Sequence, residues 1–181
     1  MGLWLLSESL RTWELQGHDP SLTDLLAAAA ELPTDGPVFD PDAPEFLAPG
    51  DMERRIIDAC RRSGQRVPGT HPEVVRCILD SLAVTFAARI ADAQRLSGKR
   101  IDVIHIVGGG SQNRLLCQLV ADAAGRPVVA GPVEATALGN LLVQARTHGV
   151  LTGDLWDLRA ELRRATRTST FVPRLTGRRG D

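Results

Sequence analysis

Three consecutive glycines, Gly108 to Gly110, separate an apolar run with strand character from a helical pattern. The apolar run covers residues 101–107, and the helical pattern begins at Asn113. A strand that turns through glycines into a helix start exposes backbone N–H groups, which favour phosphate oxygens. Glycine also lacks the Cβ that would hold an anion away from those groups. The pattern predicts a nucleotide-binding turn, and the alternative is a strand-to-helix turn that needs positive φ and binds nothing.

The residues around this turn form a β-α-β-α pattern. The predicted strands are 101–107 and 127–130, and the predicted helices are 113–124 and 134–148. Strands joined through a helix run parallel with a right-handed crossover. Val38-Phe39 and residues 170–172 are weak strand candidates. Because a stable sheet usually needs three or more strands, we expect part of this domain to lie upstream of Met1.

The first hundred residues are predicted to be helical. Apolar periodicity and capping residues predict four helices, with starts near Leu3, Ser21, Asp51 and Thr70 and stops near Gly17, Pro33, Gly64 and Gly98. Five prolines in residues 33–50 predict an extended connector without a core of its own. Asp154 is predicted to start a last helix.

Composition limits the classes of partner. The formal net charge is -1, so no basic field attracts nucleic acid or an anionic membrane, and a small-molecule partner is favoured. Cys60, Cys77 and Cys117 are far apart in the sequence and lack metal-ligand spacing, which predicts buried thiols in a reducing cytosol and no metal site. No apolar run approaches the ~20 residues of a membrane span, and we expect a soluble, cytoplasmic protein.

Four blocks of sequence carry a family resemblance. They are Gly2-Leu3-Trp4-Leu5-Leu6, Arg76 to Ala83, His105 to Leu116, and Ala130 to Asn140. In this order they resemble the C-terminal region of the rhamnulokinase branch of the FGGY family of carbohydrate kinases. Relatives that act on glycerol or xylulose share the glycine turn and the helix start at Thr136 to Gly139, but not the full sequence of the last two blocks. The resemblance extends from Gly2 to about Pro173.

The resemblance implies an α/β fold. Its expected class is the C-terminal domain of a ribonuclease H-like, actin-like ATPase, helix-rich around a β-α-β-α core and incomplete at its N-terminal side. Residues 1–175 would form this partial nucleotide-binding domain. Residues 176–181 would be a disordered basic tail.

The resemblance also implies a function. The intact kinase would bind L-rhamnulose and ATP with Mg²⁺, transfer the γ-phosphoryl group to the sugar and release ADP. The general-base aspartate and most sugar contacts would precede Met1, so this chain alone is expected to be inactive and to need an N-terminal half. A second hypothesis is a non-catalytic interaction or regulatory module derived from a sugar kinase, which could self-associate through an exposed sheet edge.

The resemblance places few site residues on this chain. Gly108, Gly109 and Gly110 would contact the nucleotide through their backbone, and Asn113 occupies a position where a polar side chain often approaches it. Ser7 stands where rhamnulokinases commonly have a nucleotide-contacting glutamine, and its shorter side chain implies a weak contact. No catalytic residue and no metal ligand is assigned.

A dinucleotide-binding fingerprint is the competing interpretation of the glycine turn. Gly108 and Gly110 give its first two glycines, and Glu134 lies where a ribose-binding acid is found. The third glycine position is occupied by Asn113, which argues against this interpretation. Glu134 more simply complements the dipole of its own helix.

The remaining conspicuous residues are given structural roles. His105 is predicted to be neutral, hydrogen-bonded and facing a helix, and Asp80 is predicted to cap a helix or pair across the core. The tryptophans Trp4, Trp13 and Trp156 are predicted core residues. A solvated face, rather than a nucleic-acid patch, is predicted for the arginines Arg159, Arg163, Arg164, Arg167, Arg174, Arg178 and Arg179.

Overall fold

The computed structural model describes residues 2–174, which divide into two compact units. One unit extends to Lys99 and is helical; the other begins at Arg100 and contains the strands. The predicted tail at 176–181 lies outside the described residues. A single partial domain over 1–175 stays a prediction.

Four helices form the first unit, in the positions that the sequence predicts. They are α1 Trp4–Leu15, α2 Leu22–Ala30, α3 Met52–Arg62 and α4 His71–Ser97. Ser21 Oγ accepts a hydrogen bond from the backbone N–H of Asp24, and Thr70 Oγ1 accepts one from that of Glu73. These side chains satisfy backbone donors that a helix start leaves unpaired. The glycines after α1, α3 and α4 have positive φ, as expected of helix ends.

Asp51 starts α3 at the predicted position but does not cap it. Its φ is 47°, a left-handed backbone conformation, and its side chain accepts no capping hydrogen bond. A capping residue normally has extended backbone angles, which direct its side-chain oxygen toward the first free N–H groups. The predicted cap is therefore wrong, although the helix boundary is right.

The proline-rich connector contributes to the core, contrary to the prediction. Pro44–Phe46 forms a short 3₁₀ helix, and Phe46 is fully buried with its ring centroid 4.7 Å from that of Phe39. Val38-Phe39 is not a strand. Its N–H groups donate to Gln65 Oε1 and Ser81 Oγ, so side chains replace a partner strand. The connector contains no α-helix or strand, but its prolines do not exclude a 3₁₀ turn or burial of the aromatic rings between them.

Helix α4 has more buried residues than any other helix of this unit. Its first half is buried and its second half is mostly exposed, with an ion pair between Arg76 and Asp80 in the buried part. Asp80 is thus paired, but with a residue of its own helix rather than across the core as predicted. Trp13 is fully buried as predicted, whereas Trp4 is 40% exposed and donates from Nε1 to Phe46 O. The core prediction is wrong for Trp4 because its indole N–H reaches its acceptor at the rim of the unit.

A buried carboxylate ties α1 to the chain before α3. Glu8 is only 3% exposed, and its Oε1 accepts from Arg11 Nη2 at 2.6 Å and from the Gly50 N–H at 2.7 Å. Arg11 Nε donates to the second oxygen at 3.0 Å. The hydrogen bonds from Arg11, and then that from Gly50, lower the pKa of Glu8.

This lowered pKa predicts a loss of stability in acid. A carboxylate with a lower pKa in the folded state contributes stability above its unfolded pKa of about 4.3, and loses it as pH falls through the folded value. Glu8→Gln should therefore lower the free energy of unfolding at pH 7 and flatten its decline between pH 5 and 3. Urea unfolding at several pH values measures this. Glu14→Gln, on the exposed face of α1, is the control and should keep the wild-type slope; an equal slope in Glu8→Gln would contradict the prediction.

The second unit contains a three-stranded sheet in the order β1-β2-β3. Its elements are β1 Ile104–Ile106, α5 Arg114–Ala124, β2 Val128–Ala130, α6 Ala135–Thr147, α7 Leu155–Ala165 and β3 Ser169–Phe171. Strands β1 and β2 are parallel, with Ile104 opposite Val128, which confirms the predicted crossover unit. Strand β3 runs antiparallel to β2, with Phe171 opposite Val128. The weak candidate at 170–172 is thus a real strand, shifted by one residue.

Helix α5 packs on β2 and β3, whereas α6 and α7 are mostly exposed. No residue of α6 is buried, and Leu141 is 62% exposed. Helix α7 begins with the predicted cap, since Asp154 Oδ1 accepts from the Trp156 and Asp157 N–H groups. Trp156 is 66% exposed and stacks under the Arg159 guanidinium, so its core prediction is wrong. The face of α7 that turns inward carries Leu158 instead.

Two features of the described residues bear on partners. Strand β1 has a neighbouring strand only on its β2 side within residues 2–174. No helix in that range combines the length and hydrophobicity needed to cross a bilayer.

Candidate functional site

The glycine turn follows β1 directly. Gly108 has φ 75° and ψ −163°, a backbone conformation that only glycine adopts readily. Its N–H donates to Pro132 O at 3.1 Å, and its carbonyl accepts from the N–H and the hydroxyl of Ser111 at 3.0 and 2.7 Å. A 3₁₀ helix, Gly109–Gln112, comes next. The turn is therefore held by Pro132, in the segment that follows β2, and by Ser111.

The N–H groups of Gly109 and Gly110 have no acceptor among the residues that the structure describes. A Cβ placed on Gly109 would meet no heavy atom within 4 Å. Two adjacent donors therefore lie at the start of a helical turn, with open space beside Gly109. This arrangement is suited to bind a phosphate or carboxylate group.

Asn113 closes the turn and caps α5. It is 8% exposed, and its Oδ1 accepts a hydrogen bond from the Leu116 N–H at 3.0 Å. Its carbonyl oxygen is thus occupied, and only the side-chain NH₂ group is left to approach a ligand. Asparagine is among the preferred residues at this position of a helix, so the cap was visible in the sequence.

Four of the predicted site residues are brought together, because Gly108 to Gly110 and Asn113 form one continuous turn in the second unit. Ser7 is exposed on α1, in the helical unit. Its hydroxyl is not buried, so it is accessible to a ligand.

Sequence reasoning missed a cavity on the sheet face opposite α5. Its volume is about 780 Å³, and no acidic side chain is among its lining residues: His105, Val107, Val129, Gly131, Pro132, Ala135, Trp156, Arg159, Leu162, Arg163, Thr166 and Thr168. His105 is exposed in this cavity, and its imidazole has no hydrogen bond to another described residue. The predicted hydrogen bond of His105 is therefore not observed, although residues of α7 line the same cavity.

Arginines of α7 line part of the same cavity. Arg159 and Arg163 are four residues apart and therefore lie on one face of the helix. Both are exposed, as are Arg164, Arg167 and Arg174, which confirms the predicted solvated character. Arg178 and Arg179 lie outside the described residues. The four-residue spacing of Arg159 and Arg163 is the sequence feature from which their position on one helix face could have been predicted.

Comparison with known sequences gives a consistent result. Residues 1–148 match the profile of the C-terminal domain of the FGGY family of carbohydrate kinases. A rhamnulokinase of Bacteroides thetaiotaomicron is 39% identical over 172 residues, 95% of this chain and 34% of the relative. A rhamnulokinase of Enterobacter sp. strain 638 is 42% identical over 176 residues, 96% of this chain and 34% of the relative. The chain therefore spans about a third of the length of these relatives.

Comparison with solved structures supports the same fold. The crystal structure of xylulose kinase from Rhodospirillum rubrum matches with a TM-score of 0.63 and 24% identity, covering 97% of this chain and 34% of that one. Plasmodium falciparum glycerol kinase with ADP matches with a TM-score of 0.62 and 15% identity, over 94% and 33% of the two chains. The predicted α/β fold of an actin-like ATPase C-terminal domain is confirmed. With the open glycine turn after β1 and a family profile matched over residues 1–148, this chain belongs to the FGGY family of carbohydrate kinases and corresponds to its C-terminal domain.

Proposed function

We propose that this chain is the C-terminal, nucleotide-binding portion of an ATP-dependent kinase that phosphorylates L-rhamnulose. The observation that carries the proposal is the pair of N–H groups at Gly109 and Gly110, which have no acceptor among residues 2–174, with open space beside Gly109. The choice of sugar rests on the two relatives at 39% and 42% identity, both of which are named rhamnulokinases.

The hydrogen-bond donors of the turn suit the phosphate groups of an adenine nucleotide. The Gly109 and Gly110 N–H groups would donate to phosphate oxygens, and the Asn113 NH₂ group would approach the same ligand. Such donors are already oriented before the ligand arrives, so little reorganisation opposes binding. A weak nucleotide contact from Ser7 stays a prediction of the family resemblance.

Mg²⁺ is proposed to enter with the nucleotide. Within the described residues, no group of three or more histidine, cysteine or acidic side chains could hold a metal ion. Mg²⁺ commonly binds substrate phosphates and keeps several water ligands, so a protein cage is not required. When bound, it would neutralise charge on the transferred phosphoryl group.

The sugar site and the general base are proposed to belong to the two-thirds of the relatives' length that this chain does not cover. That portion would be supplied by an N-terminal half, and the assembled kinase would work in the cytoplasm. Alone, these 181 residues should bind ADP or ATP without turning over sugar.

Nucleotide binding by the chain alone is testable through thermal unfolding. ADP at about 100 times its Kd should stabilise the folded chain by about 2.7 kcal/mol, which raises the unfolding midpoint. Adenosine, which lacks phosphates, is the control and should stabilise the chain much less. No shift at millimolar ADP would contradict a preformed site.

Catalytic competence is tested by supplying the missing portion. The N-terminal two-thirds of a rhamnulokinase, mixed with this chain, should phosphorylate L-rhamnulose in the presence of ATP and Mg²⁺, while neither piece alone should. ADP formation and sugar phosphate are both measured, because idle ATP hydrolysis would give only the first. Absence of sugar phosphate in every such mixture would contradict the kinase assignment.

A non-catalytic interaction module is the second candidate. The observation that favours it is the unpaired outer edge of β1 within residues 2–174, together with the exposed apolar residues of α6. An open edge can pair with another chain, including a second copy. Sedimentation velocity should then show a dimer or a stable complex with an N-terminal half, and ADP should bind neither.

A further inference from the structure

Two cysteines of the helical unit are in contact. Cys60 on α3 and Cys77 on α4 are both fully buried free thiols, and their Sγ atoms lie 3.8 Å apart. The sequence separates them by 17 residues, so only the packing of the two helices brings them together. The prediction of buried thiols is confirmed, but their pairing was not foreseen.

The third cysteine has a different environment. Cys117 on α5 is also buried, and the acceptors near its Sγ are the carbonyl oxygens of Gly110 and Ser111, each at 3.9 Å. Its position in the second unit provides an internal reference, because among the described residues its Sγ has carbonyl oxygens, and not another cysteine, as neighbours.

We propose that Cys60 and Cys77 form a reversible redox modification site, in which a peroxide converts the two thiols into a disulfide between α3 and α4. A disulfide has an S–S bond of about 2.05 Å, so the two sulfurs need to approach each other by less than about 2 Å. Rotation of the two side chains, with a small shift of α3, supplies a movement of that size.

The chemistry balances with hydrogen peroxide as the oxidant. The Cys60 thiolate attacks one peroxide oxygen, the O–O bond breaks, and a sulfenic acid and one water form after proton transfer. The Cys77 sulfur then attacks the sulfenic sulfur, the S–O bond breaks, and the disulfide and a second water form. Two thiols lose two electrons in total, and the peroxide gains them. An external dithiol reverses the step by thiol–disulfide exchange.

The environment assigns the first step to Cys60. The hydrogen bond from the Cys77 thiol lowers the pKa of Cys60, because it stabilises the Cys60 thiolate. The same contact and burial raise the pKa of Cys77 well above its usual range. Cys77 therefore acts as the resolving thiol.

Access to the pair is through the end of α3. Cys60 lies in the last turn of this helix, which ends at Arg62. Helix ends open locally at much lower free energy than the whole fold, and hydrogen peroxide is little larger than water. Brief opening of that turn exposes the Cys60 sulfur while α4 stays folded.

Peptide mapping of the full chain tests the proposal. The chain is treated with hydrogen peroxide, free thiols are blocked under denaturing conditions, and the digest with trypsin is examined by mass spectrometry. The expected product joins peptide 56–61 to peptide 77–89, with the mass of the two peptides less two hydrogen atoms. The number of blocked thiols should fall from three to one, and a dithiol should restore all three.

Two variants make the result specific. Cys117→Ala should oxidise as the wild type does, whereas Cys60→Ala should give no intramolecular bond. Circular dichroism shows whether each variant is folded. If Cys60→Ala does not fold, the peptide map of the wild type still tests whether Cys60 and Cys77 become joined. Three thiols that persist under peroxide, a bond that includes Cys117, or overoxidation of Cys60 without a joined peptide would each overturn the proposal.

Discussion

Replacing Gly109 with leucine is expected to remove ADP binding while the chain stays folded. A side chain at this position meets no heavy atom of the protein within 4 Å, so it causes no internal clash. It would instead occupy the space in front of the two N–H groups, where the phosphates are proposed to bind. Loss of two hydrogen bonds to a charged group, at about 1.5–3 kcal/mol each, lowers affinity roughly a hundredfold or more.

Isothermal titration with ADP measures this effect, with circular dichroism as the check on folding. Gly139→Ala is the matched control, because Gly139 also has open space around its Cβ position and lies within helix α6. It should keep wild-type affinity. Gly108 is unsuitable for this purpose, since its φ of 75° makes any replacement strained. Wild-type ADP affinity in Gly109→Leu would contradict the proposed position of the phosphates.

Replacing Arg76 with methionine is expected to destabilise the helical unit strongly. The guanidinium is 4% exposed and donates to Asp80 Oδ2 at 2.8 Å and to the carbonyls of Ala29 and Leu32 at 3.1 and 2.8 Å. Methionine fills much of the space but leaves the Asp80 carboxylate without its buried partner. Breaking a buried pair from one side costs about 3–5 kcal/mol.

Chemical unfolding of the variant and of two comparison chains tests this prediction. Arg95→Met removes an exposed ion pair with Asp92 of similar length, 2.9 Å, and should cost less than about 1 kcal/mol. Adding Asp80→Leu to Arg76→Met should restore part of the lost stability, because no unpaired charge is then buried. Equal losses in Arg76→Met and Arg95→Met would show that burial of the first pair has no energetic consequence.

The pH dependence of Arg76→Met adds a separate check. Burial raises the pKa of Asp80, and the charge and hydrogen bond of Arg76 oppose that rise. Without Arg76 the folded pKa should rise further. A raised carboxyl pKa means that the folded state binds protons more readily, so the stability deficit of the variant should shrink as the pH falls below that value.

Local signals explain which parts of the fold could be predicted. Helix starts at Ser21, Thr70 and Asp154, and the glycine after each of three helices, depend on neighbouring residues and are visible in the sequence. Burial of Phe46 and formation of β3 depend on contacts with distant residues. The prolines gave no indication of the first, and the pattern at 170–172 indicated the second only weakly, because tertiary packing overrides local preference.

The candidate site likewise has a part that could be predicted from local sequence and a part that depends on packing. The glycine turn was predicted because its conformational demand is local, and Gly108 indeed has positive φ. The exposure of His105 depends on how the helices pack against that face of the sheet, which no local pattern specifies. The contact between Cys60 and Cys77 likewise results from helix packing across 17 residues of sequence. Residues whose role depends on a local turn were predicted from the sequence. Residues whose role depends on tertiary packing were not.

Amide signals of the glycines give the most direct measurement of the proposed nucleotide site. In the chain labelled with ¹⁵N-glycine, ADP should shift the amide resonances of Gly109 and Gly110 in a saturable manner, while adenosine should leave them nearly unchanged. Gly139, on α6, provides an internal reference that should move little. If ADP binds and the Gly109 and Gly110 amides do not respond, the phosphates lie elsewhere and the central proposal is wrong.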